Sequence, residues 1–172
     1  GYFHDIGKLV IPVEILDKPS RLTKEEYNVI KQHTYYTYHI LDSIKGMEKI
    51  RDIAAYHHET LDGKGYPFGV NKHTLSNESR LMAVADIFTA LTEKRPYREP
   101  MKKDEIANIL RNMVNKNKIE KDIVEIAIDN YEELYEHNKT NQSEAIKDFY
   151  SIQNRFGSDL KTLDGFVVAY ST

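Results

Sequence analysis

One stretch of the sequence, residues 81 to 91, constrains the fold of this chain more than any other. It reads LMAVADIFTAL and is apolar nearly all round, with Asp86 as its only charge. Such a stretch is expected of a helix buried in the centre of a domain, covered by other helices. An unpaired carboxylate there would cost more than the net stability of a domain, about 5–15 kcal/mol. Asp86 therefore needs a bound cation, a proton, or a salt bridge to Arg80 or Arg95.

Helical spacing of apolar residues appears before and after this stretch. Thr23 and Glu26 form a capping box that predicts the start of a helix running to Gly46, and a second helix is predicted from about Met47 to the His pair at 57 and 58. Further amphipathic helices are predicted around Ile106 to Val114, Ile123 to Leu134 and Ala145 to Ile152, with a loop at 137–143 and a short extended segment in FVVAY near the end. The predicted fold is therefore all-α, with that C-terminal segment as the exception.

Histidines lie at positions where these helices would bring them together. His33 follows Ile30 on the apolar face of its helix, where a lone histidine is more often a core residue hydrogen-bonded to a backbone carbonyl. Neighbouring helix residues point about 100° apart, so His57 and His58 can approach one centre only near a helix end. Three other histidines have no further candidate ligand beside them and are predicted to be at the surface or structural: His39, His73 and His137.

The candidate ligand set holds four imidazoles and two carboxylates: His4, Asp5, His33, His57, His58 and Asp86. That mixture suits divalent Fe, Mn, Ni, Co or Zn better than Ca or Mg. Asp5 is a plausible bridge between two metals that would activate a water. Cations at Lys8, Arg95 and Arg98 could bind phosphate oxygens, although the two arginines could equally be solvated surface residues.

Composition narrows the remaining choices. The formal charge of −3 argues against broad binding of DNA or RNA, and the absence of Cys excludes thiolate ligands, disulfides and Cys nucleophiles. No apolar run approaches the roughly 20 residues needed to span a bilayer, and the start lacks a signal peptide, which predicts a soluble, cytoplasmic protein. The start runs directly into the first motif, which predicts a fragment that lacks its N-terminal helices.

Three separated motifs together resemble the HD-GYP family, a branch of the HD phosphohydrolases. They are HDIGK at 4–8, HHETLDGKGYP at 57–67 and ADIFTALTEKRPYR at 85–98, with His33 in the intervening helix. The resemblance implies one domain over 1–172 with an HD-type helical bundle around a metal site. It covers a motif-bearing core at 1–111 well, whereas 112–172 matches only as a helical extension.

The resemblance also implies a ligand arrangement and a reaction. One metal would be held by Asp5, His33, His57 and His58, the other by His4, Asp5, Asp86 and a His that lies upstream in the family. Two or three divalent ions are implied, with Fe or Mn favoured. Lys8, Tyr66, Arg95 and Arg98 match substrate-contacting positions, and catalysis is assigned to Asp5 and Lys8. The implied reaction is hydrolysis of cyclic di-GMP to linear pGpG or GMP by a metal-bound hydroxide.

Two other functions stay open. The domain could hydrolyse another nucleotide, as other HD hydrolases do, or it could be a cyclic dinucleotide sensor or interaction module without turnover. Family resemblance further implies an upstream regulatory domain and a GGDEF-type cyclase as a partner of the GYP loop at 65–67.

Overall fold

The computed structural model describes residues 2–93 and 99–156 of this chain. A 3₁₀ helix at Ile6–Val10 precedes seven α-helices: α1 Val13–Leu16, α2 Lys24–Asp42, α3 Glu48–Ala55, α4 Asn77–Thr92, α5 Lys103–Asn115, α6 Lys121–Asp129 and α7 Tyr131–Phe156. No strand occurs in this described part of the chain. The predicted all-α fold is confirmed, whereas the FVVAY segment lies outside the described residues.

Helix α2 is the element on which the N-terminal half is built. It begins as predicted, with a capping box at its first turn. The Thr23 hydroxyl accepts a hydrogen bond from the Glu26 backbone N–H, and the Glu26 carboxylate accepts one from the Thr23 backbone N–H. The 3₁₀ helix and α3 both pack against α2. Gly7 makes the first contact possible, since a Cβ at this position would lie 1.9 Å from the His33 carbonyl oxygen.

Helix α4 connects this half to a second core, which we call the C-terminal cluster. Its buried members come from α4, α5, α6, the α5–α6 loop and the start of α7: Val84, Phe88, Ile106, Ala107, Leu110, Ile119, Val124, Ala127, Ile128 and Tyr131. The predicted burial of α4 on all sides is not found in the described part of the chain, where Leu81 is 55% exposed. Leu81 and Ala85 are one turn apart on a face that the described neighbours leave open.

The C-terminal helices differ from their predicted bounds. The segment predicted as one helix around Ile123 to Leu134 is divided at Asn130 into α6 and α7. The predicted loop at 137–143 is wrong, because α7 continues through it with mostly exposed polar side chains. In the described residues, no helix combines the length and the apolar character that crossing a membrane requires.

Candidate metal centre

The six predicted ligands come together from four separate segments of the chain. His4 and Asp5 precede the 3₁₀ helix, His33 lies in α2, His57 and His58 follow the end of α3, and Asp86 lies in α4. Asp5, His33 and His57 are almost completely buried. One nitrogen from each of His33, His57 and His58 lies within 4.8 Å of the others, a spacing that could hold a metal ion.

The two oxygens of Asp5 face different histidines. Its Oδ1 is 3.3 Å from Nε2 of His33 and 3.9 Å from Nε2 of His57. Its Oδ2 is 3.2 Å from Nε2 of His4. One carboxylate therefore stands between a first group, formed by His33 and His57, and His4, which begins a second group, as a bridging ligand would.

The Asp86 carboxylate completes the second group. Its Oδ1 lies 3.6 Å from Nε2 of His4, and its Oδ2 lies 4.0 Å from Nδ1 of His58. The alternative salt bridge to Arg80 is not formed, because that guanidinium donates to the Glu120 carboxylate at 2.8 Å. The other alternative, Arg95, lies outside the described residues.

Hydrogen bonds to the backbone set the orientation of two imidazoles. Nδ1 of His33 is 2.7 Å from the Ile30 carbonyl oxygen, and Nδ1 of His57 is 2.7 Å from the Ala54 carbonyl oxygen. These carbonyls accept hydrogen bonds, so each neutral ring carries its proton on Nδ1 and has a lone pair on Nε2. The two Nε2 atoms are 3.3 Å apart. Two facing lone pairs are unfavourable without a cation between them, so this donor set fits a metal ion.

The protonation states of the site also favour a cation. Burial, with smaller effects from nearby charges, keeps the pKa of His57 well below its ordinary value and lowers the pKa of His58 to about 4. Burial alone would raise the pKa of Asp5, but the adjacent His33 and His4 side chains and the Lys8 ammonium lower it far more. Burial is likewise outweighed at Asp86, whose pKa is lowered mainly by His4. Near neutral pH, the centre thus offers unprotonated nitrogens at His57 and His58 and two carboxylates.

Lys8 lies beside the bridging carboxylate. Its Nζ donates to Oδ2 of Asp5 at 2.8 Å, and the side chain is largely buried. The 3₁₀ helix explains this placement, since residues three apart lie on the same face of such a helix. Lys8 therefore places a positive charge at the edge of the candidate metal centre.

Of the other residues predicted to contact substrate, only Tyr66 lies among the described residues. The centre of the Tyr66 ring lies 4.9 Å from that of the His58 ring, and the two ring planes are tilted by 34°. Burial and a side-chain hydrogen bond with Tyr27 raise the pKa of Tyr66, so its hydroxyl stays protonated. Arg95 and Arg98 lie outside the described residues. The three histidines predicted to be apart from the site, His39, His73 and His137, are exposed as expected.

A family model described as HD domain matches residues 1–123 of the chain. The chain belongs to the HD domain family. The match includes the six converging side chains and ends within α6, so the resemblance inferred from the three motifs is confirmed.

Curated relatives of this HD domain are cyclic dinucleotide phosphodiesterases by name. The chain is 38% identical over 136 residues to 3'3'-cGAMP-specific phosphodiesterase 1 of Vibrio cholerae serotype O1, covering 79% of this chain and 32% of that protein. It is 43% identical over 98 residues to the cyclic di-GMP phosphodiesterase response regulator RpfG of Xanthomonas campestris pv. campestris, covering 56% and 26%. It is 42% identical over 99 residues to the cyclic di-GMP phosphodiesterase of Thermotoga maritima, covering 56% and 27%. The chain thus spans about a third or less of the length of these relatives.

Sequence reasoning missed two residues that position the centre of this HD domain. Thr37 accepts from the Gly7 backbone N–H and donates to the His4 carbonyl oxygen, both at 3.0 Å. Glu59, directly after the His pair, accepts from the backbone N–H groups of Phe68 and Gly69 at 2.7 and 3.0 Å. Thr37 could have been found from its spacing, because it lies one helical turn after His33 on the same face.

Proposed function

We propose that this HD domain is a metal-dependent phosphodiesterase that hydrolyses a cyclic dinucleotide. The observation that supports it best is the position of the Asp5 carboxylate, with Oδ1 near His33 and Oδ2 near His4 and Lys8. A carboxylate with an imidazole near each of its two oxygens suits a pair of divalent cations. An ammonium beside it suits a phosphoryl oxygen.

The proposed ligands form two sets that share Asp5. One set is Asp5, His33, His57 and His58, and the other contains His4, Asp5 and Asp86. Divalent cations held there would lower the pKa of a coordinated water and stabilise charge on the phosphoryl group. Iron and manganese suit this mixture of nitrogen and carboxylate donors, as do nickel, cobalt and zinc.

The other side chains of the centre act on the substrate and on the ligands. We assign the Lys8 ammonium to a non-bridging phosphate oxygen, where it stabilises the negative charge that develops during attack at phosphorus. The carbonyls of Ile30 and Ala54 hold the imidazoles of His33 and His57 with Nε2 directed inward. Tyr66, Arg95 and Arg98 are proposed substrate contacts.

Cyclic di-GMP, cleaved to linear pGpG or GMP, is the first proposed substrate. A second candidate is 3'3'-cGAMP, because a relative that aligns with 79% of this chain is named as specific for it. A GGDEF-type partner, an upstream domain, a cytoplasmic location and the division at residue 111 remain predictions.

The test is substitution of the bridging residue in the full-length protein. We expect Asp5→Ala to lose bound metal and turnover together, because both ligand sets share this side chain. The measurements are elemental analysis of anaerobically purified protein and hydrolysis of cyclic di-GMP and 3'3'-cGAMP by the same sample. His73→Ala is the matched control, since His73 is an exposed histidine apart from the centre.

Each alternative function predicts a different result. Binding of a cyclic dinucleotide without hydrolysis by metal-loaded wild-type protein would indicate a sensor. Hydrolysis of other nucleotides, with neither cyclic dinucleotide cleaved, would indicate another HD phosphohydrolase. Full activity of the Asp5→Ala variant would contradict the metal mechanism.

A further inference from the structure

A lysine and two tyrosines form a small group beside the candidate metal centre, which we call the Lys31 cluster. It consists of Tyr27 and Lys31 from α2 and Tyr66 from the loop after the His pair. The Lys31 ammonium is 4.9 Å from the centre of the Tyr27 ring and 5.4 Å from that of the Tyr66 ring. Tyr27 and Lys31 are one turn apart on one face of α2, and Tyr66 forms a side-chain hydrogen bond with Tyr27.

The cluster adjoins the metal centre through Tyr66. The Tyr66 ring contacts the Lys31 ammonium on one side and lies 4.9 Å from the His58 ring on the other. A ligand bound at the metal centre is therefore within reach of the Lys31 side chain.

Lys31 differs from Lys8 and Arg51 in the groups that contact its positive charge. Lys8 pairs with Asp5, and Arg51 pairs with Asp42 and Asp52. Among residues 2–93 and 99–156, no carboxylate lies within salt-bridge distance of the Lys31 ammonium, which is held by aromatic faces instead. Aromatic rings attract a cation without pairing it with an opposite charge, so Lys31 is placed where an anion could pair with it.

We propose that Lys31 binds the phosphodiester of a cyclic dinucleotide that is not being cleaved. This inference rests on the proposed function. A cyclic dinucleotide carries two anionic phosphodiesters, and the metal centre with Lys8 takes one of them. The other needs a cation a short distance away, which the Lys31 cluster supplies. Lys31 is thus a specificity-determining residue for substrates that have a second phosphate.

The test uses Lys31→Met in the full-length protein, because methionine keeps an apolar stem that can pack on the two rings. We expect KM for the cyclic dinucleotide to rise about tenfold while kcat changes less than threefold, since a charge-assisted contact away from the reacting phosphorus is lost. Lys31→Arg should restore most of the affinity. Lys116→Met, at an exposed position after α5, is the matched control.

Two further readouts separate a contact with phosphate from a packing effect. The wild-type KM should rise with salt concentration, and the Lys31→Met variant should show a weaker dependence, because one charge pair is missing. Calorimetric binding of cyclic di-GMP in the presence of a chelator should weaken in the same variant. That measurement requires no turnover.

The outcomes distinguish this inference from the proposed function. Wild-type turnover with an unchanged KM in Lys31→Met would overturn the inference and leave the proposed function standing. Binding that depends on Lys31 without any hydrolysis would support the inference and contradict the proposed activity. A wild-type protein that neither binds nor hydrolyses cyclic dinucleotides would overturn both.

Discussion

Thr37 shows how much of the centre depends on a single hydroxyl. This fully buried side chain connects α2 to the segment that carries His4 and Asp5, through one accepted and one donated hydrogen bond. The Gly7 N–H is buried, so it needs such a partner. The hydroxyl therefore fixes the ligand segment against the helix that carries His33.

Replacement of Thr37 by valine keeps the shape of the side chain and removes both hydrogen bonds. We expect the domain to lose about 1–3 kcal/mol of stability, because buried polar groups are left without partners. Weaker metal binding should accompany this loss, since His4 and Asp5 are no longer held in place. Denaturant unfolding and metal titration of the variant measure the two effects.

Thr34→Val is the matched control for this prediction. Thr34 is equally buried, one turn nearer the start of α2, but its hydroxyl donates to the Lys31 carbonyl within the same helix. Loss of the Thr34 hydroxyl should leave metal affinity close to that of the wild type. Equal metal affinities for Thr37→Val and wild type would contradict the positioning role.

The convergence of the candidate ligands could be predicted from sequence because imidazoles and carboxylates recur within or next to apolar helical segments. For His33, the geometry is compatible with both predicted roles at once, since one ring nitrogen bonds to a backbone carbonyl and the other faces the centre. The Lys31 cluster could not be predicted, because its contact with Tyr66 crosses between segments that are far apart in sequence.

At the scale of elements, helix starts were easier to predict than helix continuity. The capping box at Thr23 places the start of α2 correctly. The polar run at 137–143 predicts a loop from sequence because it shows no apolar period. In this part of α7 most side chains are exposed, so no core imposes such a period.

The loop after the His pair is held by contacts that local patterns do not reveal. Gly65 packs so closely that a Cβ would lie 2.4 Å from the Glu59 Cα atom. The Tyr66 N–H donates to the His58 carbonyl oxygen at 3.2 Å. The Glu59 carboxylate accepts hydrogen bonds from Phe68 and Gly69, which follow in the loop. Tyr66 is therefore fixed by contacts before and after it in the chain.

We expect Glu59→Ala to loosen this loop. The variant removes the acceptor for two backbone N–H groups, those of Phe68 and Gly69, at a cost of about 1–3 kcal/mol. Glu59→Gln should be milder because it retains one carbonyl oxygen. Amide hydrogen exchange across 65–70 measures the opening, and KM reports whether Tyr66 has moved.

An exposed glutamate serves as the control for the loop prediction. Glu78 pairs with Lys49 at the surface, and Glu78→Ala should leave both measurements unchanged because exposed ion pairs contribute little. Exchange in Glu59→Ala as slow as in wild type would show that the Glu59 carboxylate does not hold the loop.

At the scale of the whole molecule, the candidate metal centre and the C-terminal cluster share one helix. Helix α4 carries Asp86 at the centre and Val84 and Phe88 in the cluster. The other candidate ligands lie in three further segments that are well separated from one another in the chain. A cation bound by all of them would therefore link the N-terminal segment, α2, the end of α3 and α4 into one unit.

This linkage predicts the pattern of protection when metal is added to the chelated full-length protein. Binding to the folded state stabilises it by about 2.7 kcal/mol at a free metal concentration 100 times Kd. Amide exchange should therefore slow in all four ligand segments together, and also in α5 and α6, which pack on α4 or on each other. The exposed stretch of α7 at 143–148 provides no proposed ligand and serves as an internal reference. Protection confined to the residues around His57 would show that the other segments do not share the ion, which would contradict a centre bridged by Asp5.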